Sequence, residues 1–250
     1  MPNTQQRPWP VPQAPWVIRM EWYHLMFMHW PVPPELLRTY IPRRFEIDTF
    51  DGKAWIGIVP FGMRGVAPRG VPNVPKISKF PELNVRTYVL IDGKPGVWFF
   101  SLDAAQPLVV ELSRTFFHLN YCHANMRLRN QGGWVYYVSE RKHAGKPNAR
   151  FQARYRPVGP VFYSEPGSLE YWLTERYCMY SADQHNRLWC TEIDHAPWQL
   201  QTAEAEVLHN SMTEQLRFQL PNVPPLLHMA QPLNVVAWLP ERLAAEAADR

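Results

Sequence analysis

Three side chains on one short stretch are spaced to do chemistry together. Glu82, Arg86 and Tyr88 sit at even positions of a run, Glu82 to Ile91, that alternates as a β-strand does. Leu83, Val85, Thr87 and Val89 take the other face, and Asn84 joins the polar one. Neighbours on one strand face stand about 7 Å apart. A carboxylate, a guanidinium and a phenol at that spacing suit an acidic substrate. Arg86 can clamp a carboxylate with two parallel hydrogen bonds. Glu82 can move a proton if burial raises its pKa. The competing reading is an internal Glu–Arg pair that stiffens the sheet.

Other groups are weaker candidates. His195, within Asp194-His195-Ala196-Pro197-Trp198, titrates near neutral pH as a type, although a hydrogen-bonded structural histidine is the commoner case. Arg176 and Tyr177 lie where a helix gives way to a strand, so at most one of them points inward. His118, His123, His185, Cys122 and Cys190 have no zinc-type spacing, and neither HExxH nor CxxC occurs. Cys122 and His123 are strand neighbours facing opposite ways, which argues against a thiol–imidazole pair. No glycine-rich phosphate loop or dinucleotide fingerprint is present. Neither a metal nor a cofactor is expected.

The elements that must position these groups are short. The chain has 250 residues with 26 Pro, 11 Trp and 11 Tyr, and proline at that frequency disfavours long helices and central strands alike. Asp51-Gly52 and Asp92-Gly93 mark hairpin turns. They link strands at Phe45–Phe50 and Ala54–Phe61, and at Glu82–Ile91 and Gly96–Asp103. The last of these is apolar on both faces in its middle and is expected to be buried on both sides, which leaves the polar face of Glu82–Ile91 free to line an enclosed pocket. Residues 63–80 read as a long irregular loop. Further strands are expected at Tyr121–Leu128, Trp134–Arg141 and Phe151–Tyr155. Arg176–Tyr180 and Leu188–Ile193 read as a hairpin, and Leu226–Trp238 as a closing strand pair. Helices are expected at Glu35–Tyr40, Gln106–His118 (Leu108, Leu112 and Phe116 at i, i+4), Leu169–Glu175 behind a Ser168 cap, and Ala203–Leu216. The sum is a mostly β (α+β) fold: one large, curved antiparallel sheet closing into a cone or barrel, with a few short helices.

Composition narrows the partners. Net charge is +4, only six of the 26 cations are lysine, and they form no basic stripe, so nucleic acid is not expected. No apolar run reaches the roughly 18 residues of a membrane span. Three cysteines cannot close a disulfide set, and free thiols point to a cytoplasmic protein. Residues 1–16 read as an extended Pro/Trp-rich arm that docks on the domain or on a partner, residues 17–240 as one domain, and 241–250 as a tail.

Several longer stretches carry a resemblance. Glu21-Trp22, FPELNVRTYV (80–89), GVWFFSLDA (96–104), SLEYWLTERYCMY (168–180) and EIDHAPWQL (192–200) resemble, in this order, the YqjF-like family of unknown function, over about residues 17–240. That family lies in the acetoacetate decarboxylase-like superfamily. The resemblance implies its fold, a curved antiparallel sheet closing around a small-molecule pocket, but no established reaction. The superfamily's decarboxylases form a Schiff base from a lysine whose pKa is lowered by a neighbouring lysine. In the matching stretch, Ser113–His123, Arg114 matches the motif's arginine, Asn120 replaces its proline, and Tyr121 stands at the Schiff-base position. No lysine occurs between Lys94 and Lys142. Tyrosine makes no imine, so lysine-dependent decarboxylation is disfavoured. By motif position Arg114 becomes a candidate carboxylate binder and Tyr121 a proton or hydrogen-bond donor.

The expectation is therefore a pocket for a small oxo- or enol-bearing carboxylate, worked on by acid–base chemistry, lyase-like if it turns over. Glu82 and Tyr121 are the catalytic candidates, with Arg86, Tyr88, Arg114, Arg176 and His195 binding substrate. The alternatives are a non-catalytic metabolite binder and a protein-interaction domain. Self-association into a homo-oligomer stays open.

Overall fold

The computed structural model describes residues 7–74 and 77–244; the first six residues of the arm, Pro75, Lys76 and tail residues 245–250 lie outside the described residues. The elements run β1 (Ile18–Tyr23), β2 (Leu25–Val32), β3 (Glu46–Ile47), β4 (Ala54–Pro68), β5 (Phe80–Ile91), β6 (Lys94–Ala104) and α1 (Pro107–Phe116). They continue as β7 (Tyr121–Gln131), β8 (Trp134–Arg141), β9 (Arg150–Pro157), β10 (Phe162–Tyr163), α2 (Leu169–Thr174), β11 (Cys178–Ala182) and β12 (Leu188–His195). The last are β13 (Gln199–Asn210), β14 (Leu226–Ala230), β15 (Leu233–Ala237) and β16 (Glu241–Arg242).

Turn chemistry builds the central meander β4–β5–β6. Asp51 and Gly52 have φ of 49° and 73°, and Asp92 and Gly93 have 51° and 73°. Two successive positive φ values are what a tight hairpin turn with the native twist demands. β4 pairs with β5 from Ile56↔Thr87 to Met63↔Phe80, and β5 pairs with β6 from Glu82↔Ala104 to Ile91↔Lys94.

The pairings close the sheet twice. One ring runs β4–β1–β15–β12–β11–β6–β5 and returns to β4. The other runs β6–β7–β8–β9–β13–β14–β2–β4–β5 and returns to β6. The two rings share β4, β5 and β6 as a common wall. Pairing is antiparallel except at β6–β7 and β11–β6, which are parallel, so the sheet is mixed.

Strand alternation then divides the side chains between the rings. Leu83 and Val85 of β5 join Met26, Met28, Ile58, Tyr137, Phe151 and Tyr155 in a solid core inside the second ring. Leu25, Phe27, Val59, Phe61, Phe99 and Tyr121 belong to the cluster that faces the first ring.

Several expected elements differ. The segment 203–216 is not helical: β13 occupies Gln199–Asn210, paired with β9 on one side and β14 on the other, and only Glu214–Leu216 forms a 3-10 turn. The bulge between Val207 and His209 breaks the two-residue period, which makes a strand look helical in sequence. β4 continues through Pro68, into the stretch expected as loop. The helix expected at Glu35–Tyr40 is two 3-10 turns, Pro34–Leu36 and Arg38–Tyr40. The strand expected at Phe45–Phe50 pairs only at Glu46–Ile47, with a lone bridge from Phe50 to Lys53. α1 forms where expected, yet its Leu108, Leu112 and Phe116 are exposed and Val110 is its buried residue. Ser168 caps α2, its Oγ accepting from the Tyr171 amide at 3.2 Å.

The described part of the arm docks on its own domain. Arg7 pairs with Glu192, Trp9 Nε1 donates to the same carboxylate at 3.1 Å, and Trp238 Nε1 donates to the Ala14 carbonyl at 2.6 Å. At the other end of the chain, β16 adds to β12. Among the described residues no helix is long and apolar enough to cross a membrane.

Candidate functional site

The first ring is not filled. It encloses a cavity of about 100 Å³ that β1, β4, β5, β6, β11 and β12 line with one face each, while α1 and the segment after α2 cover it. Most of its wall is apolar, with Phe27, Phe61, Phe99, Leu102 and Trp198. Most of the charged and titratable groups come from β5, the end of α2 and β12, with Tyr121 of β7 beside them.

β5 contributes Glu82, Asn84 and Arg86, the even face of the alternating strand. Glu82 is 2% exposed. Burial in this apolar wall lifts its carboxyl to about 8, against the opposing hydrogen bond from Tyr121, so it is a neutral acid at pH 7. Tyr121 Oη donates to Glu82 Oε2 at 2.9 Å, and Ser113 of α1 hydrogen-bonds the same tyrosine. Tyr137 Oη, from the other ring, donates to the Glu82 carbonyl at 2.6 Å and fixes the strand there.

The short helix α2 ends over the cavity, and its last carbonyls lack partners of their own. Arg176 Nε donates to the Trp172 carbonyl at 2.6 Å, and Arg86 Nη2 donates to the Leu173 carbonyl at 3.2 Å. A helix C-terminus is a favourable place for cations, and here it gathers two guanidiniums. Arg176 Nη1 donates to Asp48 Oδ2 at 2.6 Å. Burial, with some help from Arg86, pulls the Arg176 pKa down from its ordinary value. Among the described residues Arg86 has no carboxylate partner. Its guanidinium lies over the Phe27 ring, and its Nη2 also donates to Tyr88 Oη at 3.3 Å.

β12 supplies His195. Its Nδ1 lies 2.8 Å from the Ala196 carbonyl, which assigns the proton to Nδ1 and leaves Nε2 as an acceptor. Burial lowers its pKa to about 4, so the ring is neutral at physiological pH. Tyr177 stacks on it at 4.7 Å.

Five of the eleven buried side-chain polar atoms without a hydrogen-bond partner among the described residues belong to residues of this cavity. Trp22 Nε1, Asn84 Oδ1, Arg86 Nε, Arg176 Nη2 and His195 Nε2 are buried without a hydrogen-bond partner, and all five residues line this cavity. Buried polar groups are nearly always paired, and these five gather around one cavity.

The structure therefore brings together Glu82, Arg86, Tyr121, Arg176 and His195. Tyr88 stands one step behind them. Its hydroxyl is 2.7 Å from His29 Nε2, and its ring packs on Trp172 and under the Arg176 guanidinium at 5.0 Å. It positions the two arginines and does not line the cavity. Arg114 lies outside, in a surface groove, its Nη1 donating to the Tyr121 carbonyl at 2.8 Å. The alternative of an internal Glu82–Arg86 ion pair is not realised among the described residues, where Glu82 bonds Tyr121 instead. Sequence reasoning passed over Asn84, although its place on the polar face signalled it. Trp22, Ser113, Thr174 and Trp198 also line the cavity, and nothing local marks them.

The fold is shared with solved acetoacetate decarboxylase-like proteins. Over 98% of this chain and 96% of that one, it superposes on the acetoacetate decarboxylase of Legionella pneumophila with a TM-score of 0.62 at 12% identity. It superposes on the enduracididine biosynthesis enzyme MppR complexed with pyruvate with a TM-score of 0.65 at 10% identity, over 92% of this chain and 91% of that one. An acetoacetate decarboxylase-like enzyme from Sphingomonas wittichii gives 0.62 at 9% identity, over 93% and 95%. At such identities the likeness is one of fold.

The chain belongs to the YqjF-like family DUF2071, an uncharacterized conserved protein family whose model it matches over residues 19–234. It is 44% identical to the uncharacterized protein YqjF of Bacillus subtilis (strain 168) over 234 residues, 94% of this chain and 96% of that protein.

Proposed function

We propose that this protein binds a small oxo- or enol-bearing carboxylate in the inner cavity and transforms it by acid–base chemistry, without an imine. The convergence of unpartnered buried polar atoms on the cavity carries this reading. The ligand carboxylate accepts from Arg86 and Arg176, held side by side by the end of α2. Glu82, protonated at neutral pH, gives its proton to the oxo oxygen while the neutral Nε2 of His195 takes the proton from the adjacent carbon, and both protons return on reversal. Tyr121 orients that carboxyl. Asn84 Oδ1 accepts from a hydroxyl on the ligand.

No described residue lining the cavity is a lysine. Together with Tyr121 at the motif's amine position, this favours proton transfer over imine chemistry. The solved MppR complex with pyruvate supports the ligand class by analogy of fold alone.

Thermal unfolding with pyruvate, 2-oxobutanoate and acetate tests the binding half. At 100 times Kd a ligand adds about 2.7 kcal/mol of stability. The expected result is stabilisation of the wild type that Arg86→Ala largely removes. Absence of stabilisation by any of the three acids overturns the reading. Turnover of a bound acid, lost in Glu82→Gln, separates an enzyme from a metabolite carrier.

A further inference from the structure

An open groove of about 780 Å³ lies against the inner cavity. Phe99 and Leu119 line both spaces, so these two side chains form the partition between them. The groove floor is aromatic, with Tyr40, Trp98, Phe100 and Tyr180. A bulge creates this arrangement. β5–β6 pairing shifts between Val85↔Ser101 and Arg86↔Phe99, which leaves Phe100 as an extra residue. Alternation on β6 therefore changes phase there: Val97 and Phe99 line the inner cavity before the bulge, and Leu102 after it.

The groove also holds charge that its own carboxylates do not balance. Asp183 is engaged by Arg187 Nε at 2.6 Å and by Trp189 Nε1 at 3.2 Å, and Glu111 is 2.7 Å from His123 Nε2. Arg114 donates to a neutral carbonyl, and Lys146 Nζ donates to Asn120 Oδ1 at 3.2 Å. Among the described residues neither cation has a carboxylate partner. Arg114 also ties the two spaces together, since it holds the backbone of Tyr121 while the Tyr121 hydroxyl holds Glu82.

We propose that the groove is the second half of the binding site and takes the far carboxylate of a linear 2-oxo diacid. The 2-oxo acid end lies in the inner cavity, the methylene chain passes Phe99 and Leu119 over the aromatic floor, and the distal carboxylate meets Arg114 and Lys146. This rests on the carboxylate reading of the inner cavity. It adds that the natural ligand is larger than that cavity and carries two anionic ends.

Titration calorimetry with pyruvate, 2-oxoglutarate, 2-oxoadipate and 2-oxosuberate tests it, on the wild type and on Lys146→Gln. Lys146 is exposed and outside the inner cavity, so its substitution leaves the fold and the pyruvate site intact. One of the longer diacids is expected to bind the wild type about tenfold more tightly than pyruvate, the value of one added charge-assisted contact. Lys146→Gln should remove much of that gain and leave pyruvate affinity unchanged. Phe99→Trp should weaken diacids more than pyruvate by filling the partition. Pyruvate binding with no gain for any diacid, or a gain that survives Lys146→Gln, overturns the proposal. Failure of pyruvate and every diacid to bind overturns the inner-site reading as well.

Discussion

The two rings share one wall and are filled in opposite ways. Inside the second ring, Tyr137, Phe151 and Tyr155 pack into the core, and the charged pair there is fully engaged. Arg141 Nε donates to Asp103 Oδ1 at 2.9 Å, its Nη2 to Ser101 Oγ at 2.8 Å, and its Nη1 to Gln215 Oε1 at 3.0 Å. Inside the first ring, Arg86 and Glu82 are not paired with each other, and atoms of Arg86, Arg176, His195 and Asn84 lack partners. Both regions bury charged side chains. What separates them is how those charges are met: the second ring holds a braced ion pair, while the first holds guanidinium, imidazole and amide atoms with no partner among the described residues. The acids differ to match. Burial lifts Asp103 only to about 6 because Arg141 holds it, and it stays ionised at neutral pH; Glu82, without a cation, rises to about 8.

Breaking the brace should have the largest effect. Arg141→Ala leaves Asp103 buried and alone, and should cost about 3–5 kcal/mol of stability in chemical denaturation. Arg86→Ala, in the other ring, should cost far less stability and instead weaken carboxylate binding by about 2 kcal/mol, read as Kd by calorimetry. Comparable stability losses in the two variants would remove the distinction between the rings.

A pH series sharpens the contrast further. Glu82 binds its proton more tightly folded than unfolded. Its contribution to stability is therefore full below the unfolded value of 4.5 and is lost as pH rises through about 8. Glu82→Gln should flatten that decline, so the melting temperature of the variant should gain on the wild type between pH 5 and 9. Carboxylate affinity should fall over the same rise in the wild type, because ionised Glu82 repels the ligand, and should hold steady in the variant. The smallest effect belongs to the exposed Arg154–Glu206 pair on β9 and β13, outside both rings. Glu206→Gln should leave melting and ligand binding unchanged.

Much of the site was legible because β5 obeys a strict two-residue period. Glu82, Asn84 and Arg86 had to share a face, and the doubly buried neighbour β6 told which environment that face would meet. The motif position of Tyr121 carried the same information for β7. Tyr88 shares that face yet stands behind the cavity wall, because being on a face is not the same as reaching the lumen. His29, Trp172 and Arg176 close over it, and none of them is near it in sequence. Motif position marked Arg114 but not the space it meets: Ser113 of α1 faces the cavity and Arg114 the groove. The strand β13 read as a helix because its bulge imitates a four-residue spacing, and only pairing with β9 and β14 settles the matter.

By itself, the sequence determined the turns, the alternation of β5 and the absence of an amine at the motif position, since each depends on local backbone preference or residue identity. It thereby determined a β-rich fold with a polar strand face. Only the tertiary structure decided that the sheet closes into two rings, that one is packed solid while the other keeps a cavity, and that the end of α2 draws Arg86 and Arg176 together. Those outcomes follow from pairings between strands far apart in the chain, whose partners no local pattern names.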